Sequence, residues 1–524
     1  MVEDQQLVKA VAAIPQRSER QQDLQKLVGA FVDVGIMPQV QNTNNQVIYG
    51  RRGTGKTHVL RVLSSILQPS KNVVVYIDAR TLGSTAQFTD NTIPLGIRCT
   101  ALFRDFLEEI HNALLDYIVT LAPEIADNAL TELSEVGRTI TEPFVTVVPE
   151  KTSDRILQKT TDTDSLNSSV GIVPVLKANF SATASTERAS ETERSTGYAV
   201  LREDKIVFPA ISSRLKSILT ICKSQLFILV DEWSSLPTDV QPYLAEFFKR
   251  AFFAFPQVTV KIASLEHRSV FRLQTSNGLV GFELGADIAA GIDIDDYYVF
   301  DRNPDRITDA FGDMLVKHLR NELPAGYLEN ELGIYTGHEL ASKLFSERAV
   351  FQELVRSSEG VARDLINIFS TAYFAAHRKG REKIERGAVL EGARQWFEQD
   401  KEGNLDEHLR SVLRRIADEV IGNRRARSFL LPRELADHPV VQKLFDLRVI
   451  HLVQRGYADK DKPGVRYNIY SLDYGTYVDL MNTSKKPDLG FNPIPNEASA
   501  EDFIVPFDDK RSIRRIILSE KILA

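Results

Sequence analysis

Gly50-Arg-Arg-Gly-Thr-Gly55-Lys56-Thr57 has the spacing G-x-x-x-x-G-K-[S/T], and this stretch decides the fold. Glycines at Gly50, Gly53 and Gly55, with Thr54 between the last two, let backbone N–H groups turn inward around phosphates. Lys56 is placed to reach the β- and γ-phosphates, and the Thr57 hydroxyl to ligate Mg²⁺. The flanks agree. Val47-Ile48-Tyr49 enters as a strand, and residues 58–67 leave with apolar residues at helical spacing, so a helix N-terminus points at the anion.

Moving outward, residues 18–36 are expected to form one amphipathic helix through Leu24, Leu27, Val28, Phe31 and Val32. Apolar runs at 72–78, 225–230 and 258–263 predict buried parallel strands, with helices over 96–121 and 240–253 between or beside them. Strands alternating with helices indicate an α/β fold: a phosphate-loop αβα base with a parallel sheet, assigned to residues 1–304. Residues 305–400 read as helical throughout, and 405–482 as a small domain of short helices and a hairpin. Residues 483–524 read as a proline-containing tail that wraps or trails.

Residues 138–210 interrupt this pattern. Sixteen of the fifty residues 151–200 are Ser or Thr, a composition suited to a flexible segment. Apolar residues nonetheless alternate from Val170 to Ala184, which predicts a two-faced strand that Tyr198–Leu201 could return as a hairpin. Projecting insertion and surface loop both remain open here. The insertion reading would give an effector protein a place to dock.

Val230-Asp231-Glu232 closes the apolar run at 225–230. Carboxylates at the C-terminal end of a parallel strand fall beside the phosphate loop. Asp231 would hold Mg²⁺ and Glu232 would orient the attacking water, since phosphoryl transfer depends on positioning and charge. Ser264, at the tip of the next strand, is the candidate γ-phosphate sensor. Arg250, Arg268 and Arg272 are candidates to reach a neighbouring subunit's phosphate. Arg363 falls in the first turn of a helix, where the helix dipole disfavours a cation, so a bound anion is a natural compensation.

Gly50–Thr57, Asp231-Glu232, Ser264, Gly360-x-x-Arg363 and the following Lys383-Ile384-Glu385 resemble the AAA+ ATPases of the origin-recognition initiator clade, in particular stand-alone prokaryotic members. The resemblance spans roughly 15–480 apart from the insertion. It implies a five-stranded base, a helical lid over 305–400, a C-terminal winged helix over 405–482, and subunit-interface ATP sites in a homo-oligomer. Lys56, Thr57, Asp231 and Glu232 would act on Mg·ATP, and Arg363 would report the γ-phosphate to the lid. Pro15-x-Arg17 is similar to the clade's nucleotide-proximal segment. Ser264 departs from the usual asparagine or threonine, and the insertion is not part of the clade's pattern.

Winged helices commonly enter the major groove of DNA. Between 405 and 482 the count is 13 Lys+Arg against 11 Asp+Glu, a net of +2. Arg424, Arg425 and Arg427 form a cluster, Lys460 and Lys462 sit at the wing tip, and the expected recognition helix, 439–447, carries Lys443. Double-stranded DNA is therefore a candidate partner. The rival reading is a regulatory NTPase, for instance in bacterial defence against phage, that controls a partner effector without reading DNA. The net charge of −7 excludes a polybasic coat. Two cysteines, Cys99 and Cys222, argue for a reducing compartment, and no run of about 18 apolar residues suggests a membrane span. A cytoplasmic protein is the expectation.

Overall fold

The computed structural model describes residues 1–16, 21, 23–83, 88, 90–141, 144–149, 198–203, 206–276, 278–424, 426–459, 464–480 and 516–524. They form two compact units: Met1–Leu82 with Lys223–Ala524, and Gly83–Cys222.

The first unit is built on a five-stranded sheet of β1 (Gln46–Tyr49), β2 (Val73–Asp78), β3 (Leu226–Asp231), β4 (Val258–Ser264) and β5 (Ala289–Asp293). The spatial order is β2-β3-β4-β1-β5, and every pair is parallel. β3 and β4 are buried along their whole length, which is why their sequences are continuous apolar runs rather than alternating ones. Because β4 lies between β1 and β3, the tip of β4 separates the phosphate loop after β1 from the acidic pair after β3. Edge strand β5, Ala-Ala-Gly-Ile-Asp, is largely accessible and carries no apolar run that would have announced it.

Helix α1 (Lys56–Leu67) follows the loop and buries Val59, Leu60, Leu63 and Leu67 in a core shared with Ile48, Phe227 and Leu229. The single helix expected over 18–36 is not formed. Among the described residues of this stretch only Leu24–Gly29 is helical, capped by Asp23. Beyond it the Asp33 carboxylate accepts the N–H groups of Gly35, Ile36 and Met37, and this local alternative to helical bonding turns the chain. Helix Gln5–Ala13, capped by Asp4, was not foreseen; its Leu7, Ala10 and Val11 belong to the core of the helical region beyond residue 304.

That helical region contains α2 (Ala362–Arg378), whose Leu365, Phe369 and Tyr373 are fully buried. Next comes a small domain of α3 (Glu407–Ala417), β6 (Ser428–Pro432), α4 (Pro439–Asp446), β7 (Ile450–Ala458) and β8 (Arg466–Leu472). Its antiparallel sheet runs β6-β8-β7. Of the tail expected over 483–524, residues 516–524 are described. Ile516, Leu518 and Leu523 complete the small domain's core, and Leu430 exchanges backbone hydrogen bonds with Ile516 and Leu518.

The second unit contains helices Leu95–Ile118, Pro123–Thr141 and Phe208–Cys222, with Phe144–Pro149 and Tyr198–Glu203 paired as antiparallel strands. This unit is wider than the interruption expected over 138–210. The partner of Tyr198–Glu203 is Phe144–Pro149; the alternating stretch from Val170 to Ala184 lies outside the described residues. Among the described residues no helix is long and apolar enough to cross a membrane.

Candidate nucleotide-binding site

The phosphate loop holds a shape that only glycine adopts cheaply. Gly53 has φ +86° and Gly55 φ +101°, and a Cβ at Gly53 would come within 2.8 Å of the Arg363 Cβ. Within this curl Lys56 is buried, and its ammonium donates to the carbonyls of Gly50 at 2.8 Å and Arg51 at 3.1 Å. Thr54 also donates to the Arg51 carbonyl, at 2.9 Å. Burial lowers the Lys56 pKa, while Glu232 and then Asp231 push it back up. The lysine and the acidic pair therefore feel one another across the β4 tip.

Asp231 is fully buried at the end of β3. One carboxylate oxygen accepts the Glu232 backbone N–H at 2.8 Å, and the other accepts the Tyr76 hydroxyl at 2.7 Å. Tyr76 comes from β2, and the Arg61 guanidinium of α1 stacks 3.5 Å from its ring centroid. Burial and then Asp231 hold the Tyr76 phenol well above its usual range, so it stays a donor. Glu232 adopts φ 54°, a left-handed conformation that is uncommon for a side-chain-bearing residue and recurs at functional sites.

Lys56, Thr57, Glu232 and Arg363 line one cavity of about 490 Å³, a size usual for a small-molecule site. Arg363 lies in the first turn of α2, and its backbone N–H donates to the Gly53 carbonyl at 3.1 Å, which seats the lid helix on the loop. Leu27, His58, Met314, His318 and Ile366 also line the cavity, giving it an apolar region with two imidazoles. Burial, then His58, lowers the His318 pKa to about 4, so this imidazole is neutral. Pro15 and Gln16 reach the same cavity, whereas Arg17 lies outside the described residues. A glycine-lined cradle, a buried ammonium and the Thr57 hydroxyl fit a triphosphate with a divalent cation, whereas Asp231 is fully buried behind Glu232 and is not among the lining residues.

Other expected residues sit elsewhere. Ser264 is buried at the β4 tip, its hydroxyl bonded to that of Ser269, and is not among the cavity's lining residues. Arg268 is 38% exposed, and its guanidinium donates to Asp446 of α4 at 2.6 Å. Arg250 and Arg272 remain exposed and pair with Glu246 at 2.6 Å and Glu283 at 2.8 Å. Arg427 is corrected as a DNA contact. It is buried, and its guanidinium grips Glu359 with Asp301 nearby, so it is a bridge to the lid. Arg424 and Lys443 are exposed, while Arg425, Lys460 and Lys462 lie outside the described residues.

The sequence reading missed Arg51 and Arg448. Arg51, a variable position of the loop, is buried: its Nε donates to Asp295 at 3.0 Å and one terminal nitrogen to the Glu359 carbonyl at 3.0 Å. The other terminal nitrogen donates to Nδ1 of His451 on β7, and the guanidinium lies 5.7 Å from the Phe445 ring centroid. His451 Nε2 in turn donates to Asp473 at 3.0 Å, and burial lowers the His451 pKa to about 3, leaving the ring neutral. Arg448, just after α4, bonds to Asp364 at 2.5 Å and to Asp400. The small domain thus packs on the loop itself, with Phe445 of α4 against His267 as well.

A family model described as ORC-CDC6-like matches residues 16–279. Among solved structures, Cdc6p from Pyrobaculum aerophilum is similar at 14% identity, over 91% of this chain and 96% of that one, with a TM-score of 0.33. The Orc1 protein of Aeropyrum pernix, in complex with DNA, is similar at 13% identity over 91% and 97%, with a TM-score of 0.31. The RuvB Holliday junction branch migration motor of Thermotoga maritima is similar at 9% identity over 79% and 80%, with a TM-score of 0.30. No curated protein matches the chain.

Proposed function

Because the chain belongs to the ORC-CDC6-like family, we propose that it is an ATP-binding and ATP-hydrolysing switch whose nucleotide state governs engagement of duplex DNA by its C-terminal domain. The observation that carries this reading is the single cavity lined by Lys56, Thr57, Glu232 and Arg363. Loop N–H groups cradle the phosphates, and Lys56 exchanges its carbonyl partners for β- and γ-oxygens. Thr57, with Asp231 behind it, would hold Mg²⁺, which when bound would supply charge neutralisation at the phosphates. Glu232 orients the attacking water. Arg363 meets the developing charge from the lid, so its engagement tells α2 whether the γ-phosphate is present. Ser264, taken up by Ser269, has no part in this reading.

DNA engagement rests on family membership together with the exposed Arg424 and Lys443. The net charge of +2 over 405–482 means that only a few phosphates are neutralised, so the salt dependence is shallow. In an assembly of several copies, Arg250 and Arg272, exposed on this subunit, are the residues available to a neighbour's phosphate.

Glu232→Gln tests the core of the proposal. It should retain ATP affinity within about threefold while turnover falls by a factor on the order of 10² or more, the scale for losing a positioned proton acceptor. Hydrolysis at the wild-type rate would remove Glu232 from the role. DNA engagement is tested by fluorescence anisotropy with a labelled duplex at several salt concentrations. Binding that is absent with and without ATP would leave an ATPase that does not engage DNA.

A further inference from the structure

The C-terminal domain reaches into the cavity. Arg448, Asp446 and Leu447, at and just beyond the end of α4, line it together with Gly53, Lys56 and Arg363. Arg448 has φ 60°, the left-handed position after a helix where glycine is usual and a side chain is disfavoured. An arginine kept at such a position, with 7% of its side chain exposed, is aimed at something. One terminal nitrogen donates to Asp364 at 2.5 Å and to the Arg52 carbonyl of the loop at 3.4 Å. The other is held by Asp400, which itself lines the cavity and keeps 32% of its side chain exposed. Asp364 neighbours Arg363, whose backbone is bonded to Gly53. The guanidinium is thus fixed where loop, lid and cavity meet, bound to one deeply buried carboxylate and one accessible carboxylate.

Phosphate oxygens offer the same forked, anionic geometry as a carboxylate, with more charge. We propose that Arg448 is a nucleotide-binding residue contributed in cis by the C-terminal domain: it keeps Asp364 and exchanges Asp400 for the terminal phosphate of a bound triphosphate. This deepens the ATP-switch reading and rests on it. Nucleotide binding and docking of the C-terminal domain are then linked, and the linkage is reciprocal. ATP holds the domain down more firmly than ADP does, because ADP ends short of Arg448. A partner that draws α4 away weakens ATP binding more than ADP binding.

The test uses the full chain and fluorescent ATP and ADP with Mg²⁺, comparing wild type, Arg448→Gln and Asp400→Asn. Arg448→Gln should weaken ATP binding about ten- to a hundredfold, the scale of one charge-assisted hydrogen bond, and ADP binding less than about threefold. Asp400→Asn, which removes the competing anion and leaves the arginine in place, should tighten ATP binding several-fold. Hydrogen exchange over 439–472 should slow more with ATP than with ADP in wild type, and equally with both in Arg448→Gln. Equal losses for ATP and ADP, or no change for either, overturn the proposal, as does an Asp400→Asn protein that binds ATP less tightly. If Arg448→Gln does not fold, the Asp400→Asn result and the wild-type exchange difference decide. Failure of wild type to bind either nucleotide defeats the ATP reading itself, a different result from wild-type binding that ignores Arg448.

Discussion

Arg51→Ala is the sharpest test of how the C-terminal domain is held on the phosphate loop. The side chain is 6% exposed and bonds to Asp295, the Glu359 carbonyl and His451, with Phe445 under the guanidinium. The substitution leaves the Asp295 carboxylate, itself only 12% exposed, without its cation. Breaking a buried pair by removing one partner costs about 3–5 kcal/mol, chiefly because the remaining charge stays desolvated. Part of this is recovered, because the Arg51 backbone N–H still donates to the same Asp295 oxygen at 3.0 Å. That cost falls within the base, since Asp295 follows β5. The contacts that cross to the small domain are the His451 hydrogen bond and the Phe445 ring, together worth about 1.5–3 kcal/mol, so at 1.4 kcal/mol per decade the domain opens about ten- to a hundredfold more often. Native-state hydrogen exchange reads this directly. Amides in β7 and β8, 450–458 and 466–472, should exchange about ten- to a hundredfold faster, whereas those of β3 and β4 should not change. The glycine conformations and Lys56 do not depend on this side chain, so ATP affinity should fall by less than about tenfold. Unchanged exchange in β7 and β8 would refute the claim that Arg51 fastens the domain.

Lys56→Ala should weaken ATP binding by about 1.5–3 kcal/mol, the cost of a lost charge-assisted hydrogen bond, measured by calorimetry; unaltered affinity would move the nucleotide out of this cavity. Tyr76→Phe removes the hydroxyl that holds one Asp231 oxygen and should raise the Mg²⁺ concentration for half-maximal turnover about three- to tenfold; an unchanged Mg²⁺ curve would exclude Tyr76 from positioning Asp231. His318 has a folded pKa of about 4 against about 6.5 unfolded, so the unfolded chain binds more protons and stability falls as pH drops from about 6.5 towards 4. Denaturation of His318→Gln across that range should give a flatter profile, and a profile parallel to wild type would show that this imidazole is not the group being titrated.

What could be read from sequence divides along a physical line. The phosphate loop, the acidic pair and β1 to β4 were legible because each is local: glycines at fixed offsets, or an apolar run the length of a buried strand. β5 was not, since an accessible edge strand needs no apolar run, and 18–36 was misjudged because the Asp33 carboxylate outcompeted helical periodicity. The fasteners were illegible for a different reason. Arg51 and His451 are 400 positions apart, Arg448 and Asp364 are 84 apart, and nothing in their immediate neighbours marks them as buried. Arg51 even sits inside the most recognisable motif of the chain, at a position that the motif leaves open. A phosphate loop needs no particular side chain there to hold phosphate, so that position is free to carry a contact specific to this chain. The same logic explains Arg427. It reads as part of a basic cluster, yet Glu359 draws it inward, so local charge density overstated the surface available to DNA. In a chain whose local charges nearly balance, the cations most tightly held by carboxylates join the domains to one another, and only those left at the surface remain to meet a polyanion.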